Sequence, residues 1–144
     1  MKDLSASLED YLEIICNLLE SSKSVKAVSI AKRLNISRAS VSEALSKLAE
    51  KDLIVYEGHK GITITEKGLI QAQRVITKHN TLTAFFEQTL GINKSIAENN
   101  ACRIEHVITE EVFDRLEKFQ EFCNKNSVII NEFKKGYLTN SRNE

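Results

Sequence analysis

Proline and tryptophan are absent from this chain, glycine occurs five times and methionine once. Without proline, and with so little glycine, there are few obligatory helix breaks and few positions suited to left-handed turns, which predicts a mainly helical fold. Cysteine occurs three times, at Cys16, Cys102 and Cys123. An odd, scattered set of this kind is not a disulfide framework. No apolar stretch approaches the roughly 18 residues that span a bilayer. The opening MKDLSASLED lacks the basic-then-apolar order of a secretory signal, so the expectation is a cytoplasmic protein with no membrane partner. Net charge is missing too, with twenty basic and twenty acidic residues, which argues against a generic polyanion binder.

What is present is segregated. Residues 1–22 carry a net charge of −4, residues 23–67 a net of +4, residues 68–78 a net of +2 and residues 79–144 a net of −2. At 144 residues and 42% hydrophobic, the chain suits one compact domain or two small ones. The expected division is 1–74, 75–125 and a C-terminal tail over 126–144.

Ser7-Leu8-Glu9-Asp10 looks like a helix start, with Ser7 as N-cap and Asp10 closing a capping box. Leu8, Tyr11, Leu12, Ile15, Leu18 and Leu19 then recur at helical spacing. A short helix is predicted from about Ala27 to Leu34, a turn at Asn35-Ile36, and a second helix from Ser37 to about Lys51 with Val41, Ala44, Leu45 and Leu48 inward. Two β-rich runs, Leu53–Tyr56 and Ile62–Thr65, flank glycines and predict a hairpin. Helix, turn, helix, hairpin is the order of a winged helix-turn-helix. Beyond it the spacing predicts a long helix from Glu66 to Leu90, a helix from Ile96 to Ile108, and one begun by Thr109. A short helix and a loose tail follow.

Two sets of residues carry chemistry. In the winged helix, Ser37, Arg38, Ser40 and Ser42 face outward and can reach phosphates or bases, while Lys47 and the wing residue Lys60 would contact the DNA backbone. In ACRIEHV, Cys102, Glu105 and His106 stand at positions i, i+3 and i+4, one face of a helix, and are three different metal-ligand types. Asp10 and Glu13, one turn apart, and His79 are the other candidate ligands. Cys16 and Cys123 read as packing residues. Phe85, Phe86, Val112, Leu116, Phe119 and Cys123 form an apolar seam, a candidate dimer interface that also has to close the core. A metalloenzyme would need a substrate cleft for which there is no signal. A metal-independent winged-helix regulator, responding to a small molecule or to thiol oxidation, is the rival reading.

Through SLEDYLEIICNLLE, the winged helix and above all ACRIEHVITEEVFDRL, residues 5–125 resemble the DtxR/MntR family of metal-dependent transcriptional repressors. The resemblance implies an N-terminal winged-helix domain, an all-helical dimerisation domain, metal bound between them, and a homodimer on a pseudo-palindromic operator of metal-uptake genes. It also implies a short form without the SH3-like third domain. Cys102, Glu105 and His106 match the triad of the iron-responsive branch, Asp10 and Glu13 match the manganese-responsive branch, and His79 fits both. Glu98 stands where the iron branch has His, and Thr83 where it has Glu. At base-reading positions, Ala39 and Glu43 replace the family's Pro and Gln. A thiolate favours Fe(II), Co(II) or Zn(II), and carboxylates with imidazole also suit Mn(II). The expected ion is Fe(II), with Mn(II) close behind and Zn(II) or Co(II) able to bind in vitro.

Overall fold

The computed structural model describes residues 4–21, 25–57 and 61–138. The chain divides into two compact units, Met1–Ile76 and Thr77–Glu144.

The first unit opens with α1 (Ala6–Ser21). Its ladder starts at Ser5, whose carbonyl accepts from the N–H groups of Leu8 and Glu9 at 2.8 and 3.0 Å. The helix therefore begins two residues before the expected Ser7 cap. Serines at 5 and 7 are equally good caps, and the sequence alone cannot choose between them. Tyr11, Leu12, Ile15 and Cys16 are buried, and Leu4, Leu8, Leu18 and Leu19 pack on the core they form. Next comes α2 (Ala27–Leu34), closed by Asn35 in the left-handed region at φ 55°, with Ile36 N–H bonded to the Ala31 carbonyl. Asn tolerates that conformation better than most residues.

Ser37 caps α3 (Arg38–Glu50) by accepting from the Ser40 N–H at 3.1 Å. Val41, Ala44, Leu45 and Leu48 of α3 are buried, the four residues that periodicity placed inward. Leu12, Ile15, Ile30, Leu45 and Leu48 are fully covered, each contributing about 1.5–3 kcal/mol relative to exposure. The hairpin pairs β1 (Ile54–Tyr56) with β2 (Ile62–Ile64), Ile54 opposite Ile64 and Tyr56 opposite Ile62. Val25 adds a bridge to Ile62 that hydropathy did not foretell.

The end of α3 is fastened to the start of α4 (Glu66–Ala84). Thr65 Oγ1 lies 2.7 Å from the Asp52 carbonyl and 3.0 Å from that of Leu53, and accepts from the Gly68 N–H at 3.0 Å. The Lys67 ammonium donates to the Lys51 carbonyl at 2.7 Å. Gly68 is required here, because a Cβ would stand 1.9 Å from the Leu53 carbonyl oxygen.

In the second unit the expected helix to Leu90 changes register after Ala84. Phe85–Thr89 forms a π-helical turn, with Leu90 N–H bonded to the Phe85 carbonyl, before Gly91 at φ 69°. Such a local widening is invisible to hydropathy periodicity. The turn packs against α5 (Lys94–Ile104) and α6 (Glu110–Lys125), and Phe85 meets Phe119 edge-on at 6.2 Å. Asn93 caps α5, which therefore starts before the expected Ile96, and Thr109 caps α6. The chain continues through α7 (Ser127–Phe133) and a π-helical turn over Lys134–Leu138. Among the described residues, no helix is long and apolar enough to cross a membrane.

Candidate metal centre and nucleic-acid face

In the second unit, α4 supplies His79 and the turn after α5 supplies Glu105 and His106. The Glu105 side chain is 0% exposed. Its Oε2 stands 2.6 Å from His79 Nδ1, and its Oε1 stands 3.3 Å from His106 Nε2. One buried carboxylate thus presents each oxygen to a different imidazole. Removing a carboxylate from water costs several kcal/mol unless a cation or strong donors answer its charge. Two imidazole nitrogens beside one carboxylate form an N/O donor set of the kind that binds Mn(II), Fe(II), Co(II) or Zn(II). The residues present therefore fit a divalent ion.

Lys78, beside His79, ties this corner to α6. Its ammonium lies 2.9 Å from Glu110 Oε1 and 5.9 Å from the centre of the Phe113 ring.

Cys102 is exposed, in contrast to buried Glu105. The helix expected to run to Ile108 is shorter, α5 ending at Ile104 with Glu105 closing it by an N–H bond to the Ala101 carbonyl. A further turn follows, with the N–H groups of Val107 and Ile108 both bonded to the Ile104 carbonyl at 2.9 Å. Glu98 is also exposed, 3.8 Å from Lys94, and lines a shallow cleft with His79, Asn80 and Thr83. Asp10 and Glu13 lie half-buried on α1 in the first unit.

On α3, Ser37, Arg38, Ala39, Ser40, Glu43 and Lys47 are exposed and Ser42 is partly covered. The Ser37 hydroxyl is engaged at the cap and lies 2.9 Å from that of Ser40. Lys47 and Glu43 form an ion pair at 2.6 Å. The Lys47 hydrogen bond and charge hold the Glu43 carboxyl below the ordinary range, and Glu43 in turn raises the Lys47 ammonium. Lys60 lies outside the described residues.

Of the apolar seam, Val112 is 55% and Phe119 is 51% exposed, and Leu116, Phe85 and Phe86 are partly covered. Cys123 is only 2% exposed in the single chain. It belongs to the protomer's own core, where its reading as a packing residue places it, and not to a surface left for a partner. Phe122, half exposed, is an addition that the seam spacing had passed over.

Residues 3–62 match the profile described as the iron dependent repressor N-terminal DNA binding domain. Residues 65–129 match that of the iron dependent repressor metal binding and dimerisation domain. An uncharacterised HTH-type transcriptional regulator of Methanocaldococcus jannaschii is 37% identical over 119 residues, covering 82% of this chain and 95% of that protein. The HTH-type transcriptional regulator MntR of Oceanobacillus iheyensis is 30% identical over 129 residues, covering 90% of this chain and 87% of that one. Among solved structures, the manganese regulator SloR superposes with a TM-score of 0.71 at 30% identity, over 80% of this chain and 54% of SloR. The chain thus spans about half the length of that regulator.

Proposed function

The chain belongs to the iron-dependent repressor (DtxR/MntR) family of metal-dependent transcriptional repressors, which are not enzymes, and from that premise we propose how its residues divide the work. His79, Glu105 and His106 hold the ion. The observation that carries this is the fully buried Glu105 carboxylate set between the two imidazoles. Asp10 and Glu13, one turn apart on α1, are the further ligands that sequence spacing and the family resemblance supply. When bound, the ion supplies positive charge beside the buried Glu105 carboxylate. The exposed residues of α3 contact DNA, with Arg38 and the serines nearest phosphates or base edges. The paired copies place two α3 helices on half-sites of a pseudo-palindromic operator, about one helical turn or 34 Å apart.

The donors gathered in the second unit are nitrogen and oxygen, and the Cys102 thiol is exposed. This shifts the weight from Fe(II), favoured by the ACRIEHV thiol, towards Mn(II). SloR, 30% identical, is a manganese regulator, while the matched family profiles are described as iron dependent. The regulated genes are proposed to encode metal uptake.

The test is anaerobic binding to promoter DNA from the protein's own genomic neighbourhood, titrated separately with Mn(II), Fe(II) and Zn(II) and then with chelator. Binding that appears with Mn(II) or Fe(II) and disappears with chelator supports the reading. Tight binding unchanged in every condition would reduce the protein to a metal-independent winged-helix regulator.

A further inference from the structure

An acid in the middle of a DNA-facing helix is costly. Glu43 is exposed on α3 among Arg38, Ser40 and Lys47, in the segment of the chain with the largest positive charge. Its carboxylate repels phosphates and cancels the attraction of one neighbouring lysine, so it weakens sequence-independent binding. Its geometry suggests what is gained. Glu43 Oε1 and Lys47 Nζ lie 2.6 Å apart, side by side on solvent-facing groups 68% and 53% exposed. They form an adjacent acceptor and donor one hydrogen-bond length apart.

A base pair offers the complementary motif in the major groove. Cytosine N4 and adenine N6 are amino donors, and the guanine O6 or thymine O4 bonded to each across the pair is an acceptor. The two atoms are again one hydrogen-bond length apart. A carboxylate can only accept and an ammonium can only donate. The pair therefore fits C·G or A·T in one orientation and meets acceptor with acceptor and donor with donor in the reverse one.

We propose that Glu43 and Lys47 act as one unit that reads the amino-to-keto order of a single base pair in each operator half-site, requiring cytosine or adenine on the Glu43 side. The proposal rests on α3 being the DNA-facing helix. It goes further in assigning one residue pair a base-reading rule, and in treating Glu43 as a specificity residue that lowers affinity for all other DNA.

The experiment selects duplexes from a randomised library with the full chain and saturating Mn(II). Binding of the selected duplex is then compared with variants in which each base pair is inverted in turn, for wild type and for Glu43→Gln. The glutamine amide both donates and accepts, so it no longer enforces an order, and its exposed position leaves folding intact. The expected result is one position per half-site at which inversion weakens wild-type binding about ten-fold or more. Exchange of C·G for A·T in the same order costs less there. In Glu43→Gln, where Lys47 alone still opposes the reversed order, that inversion penalty falls by about three-fold or more, while penalties elsewhere stay and affinity for unrelated DNA rises. A variant that keeps the wild-type penalty at every position overturns the proposal. If wild type with metal selects no sequence at all, the DNA-facing reading of α3 fails and the proposal falls with it.

Discussion

His79 Nδ1 and Glu105 Oε2 meet at 2.6 Å across 26 residues of sequence. Neither residue has this neighbour by helical spacing; the contact exists because the segment between them folds back through the π-helical turn and α5. It turns two individually ordinary residues into a donor pair, and His106 adds a second nitrogen beside the other carboxylate oxygen.

Replacing Glu105 by Gln keeps the shape and removes the charge. The expected outcome is a loss of Mn(II) affinity of about 100-fold or more, since losing even a partner one shell further out costs about 10–100-fold. Wild-type protein should gain about 2.7 kcal/mol of stability at metal concentrations 100 times Kd. Calorimetric titration and thermal melts with and without chelator measure both, and undiminished Mn(II) stabilisation of the variant would move the centre elsewhere.

Cys102→Ser discriminates between the two readings of ACRIEHV. With the thiol exposed, Mn(II)-dependent operator affinity should stay within about two-fold of wild type. A loss greater than ten-fold, seen by fluorescence anisotropy, would return the thiolate to the ligand set and favour a softer ion.

Much of this was legible beforehand and some was not, for identifiable reasons. The four buried residues of α3 and its Ser37 cap follow from spacing and cap chemistry that act within a few residues. The sequence pattern does not record where a helix stops for tertiary reasons. The widened turn after Ala84 and the end of α5 at Ile104 are such stops. The His79–Glu105 pairing is long-range, so neither residue's surroundings announced the other.

Ser37→Ala should cost about 1 kcal/mol of stability, because the Ser40 N–H loses its acceptor at the start of α3. The urea midpoint reports this, with the slope unchanged. Arg38→Ala, by contrast, should leave stability alone and lower DNA affinity. It should also reduce the dependence of log affinity on log salt by about 0.9 if Arg38 holds one phosphate.

Phe119 and Phe122 are about half exposed in the single chain. They lie on α6 in the domain matched to metal binding and dimerisation, with Val112 exposed on the same helix. Phe119→Glu combined with Phe122→Glu should give a monomer by sedimentation at micromolar concentration. Operator affinity should fall by well over ten-fold, because each half-site would bind alone. A double variant that still sediments as a dimer would shift the interface to other residues of the unit.

Gly68→Ala should be more damaging than any of these. The added methyl would have to displace backbone at the Leu53 carbonyl, not a movable side chain. Loss of the hairpin's seat on α4 should lower the melting temperature by several degrees or more, and a variant that melts like wild type would show that the backbone there yields.

The early end of α5 has an electrical consequence of its own. The peptide dipoles of Lys94–Ile104 add along the axis, and their negative pole falls at Glu105, the residue that closes the helix. That pole is unfavourable for a carboxylate and favourable for a cation. Its strength does not depend on any side chain's protonation. The fold therefore adds a fixed backbone field to the field of the Glu105 carboxylate. Such a field favours a doubly charged ion over potassium or sodium by charge alone, before ligand type or coordination number begins to discriminate.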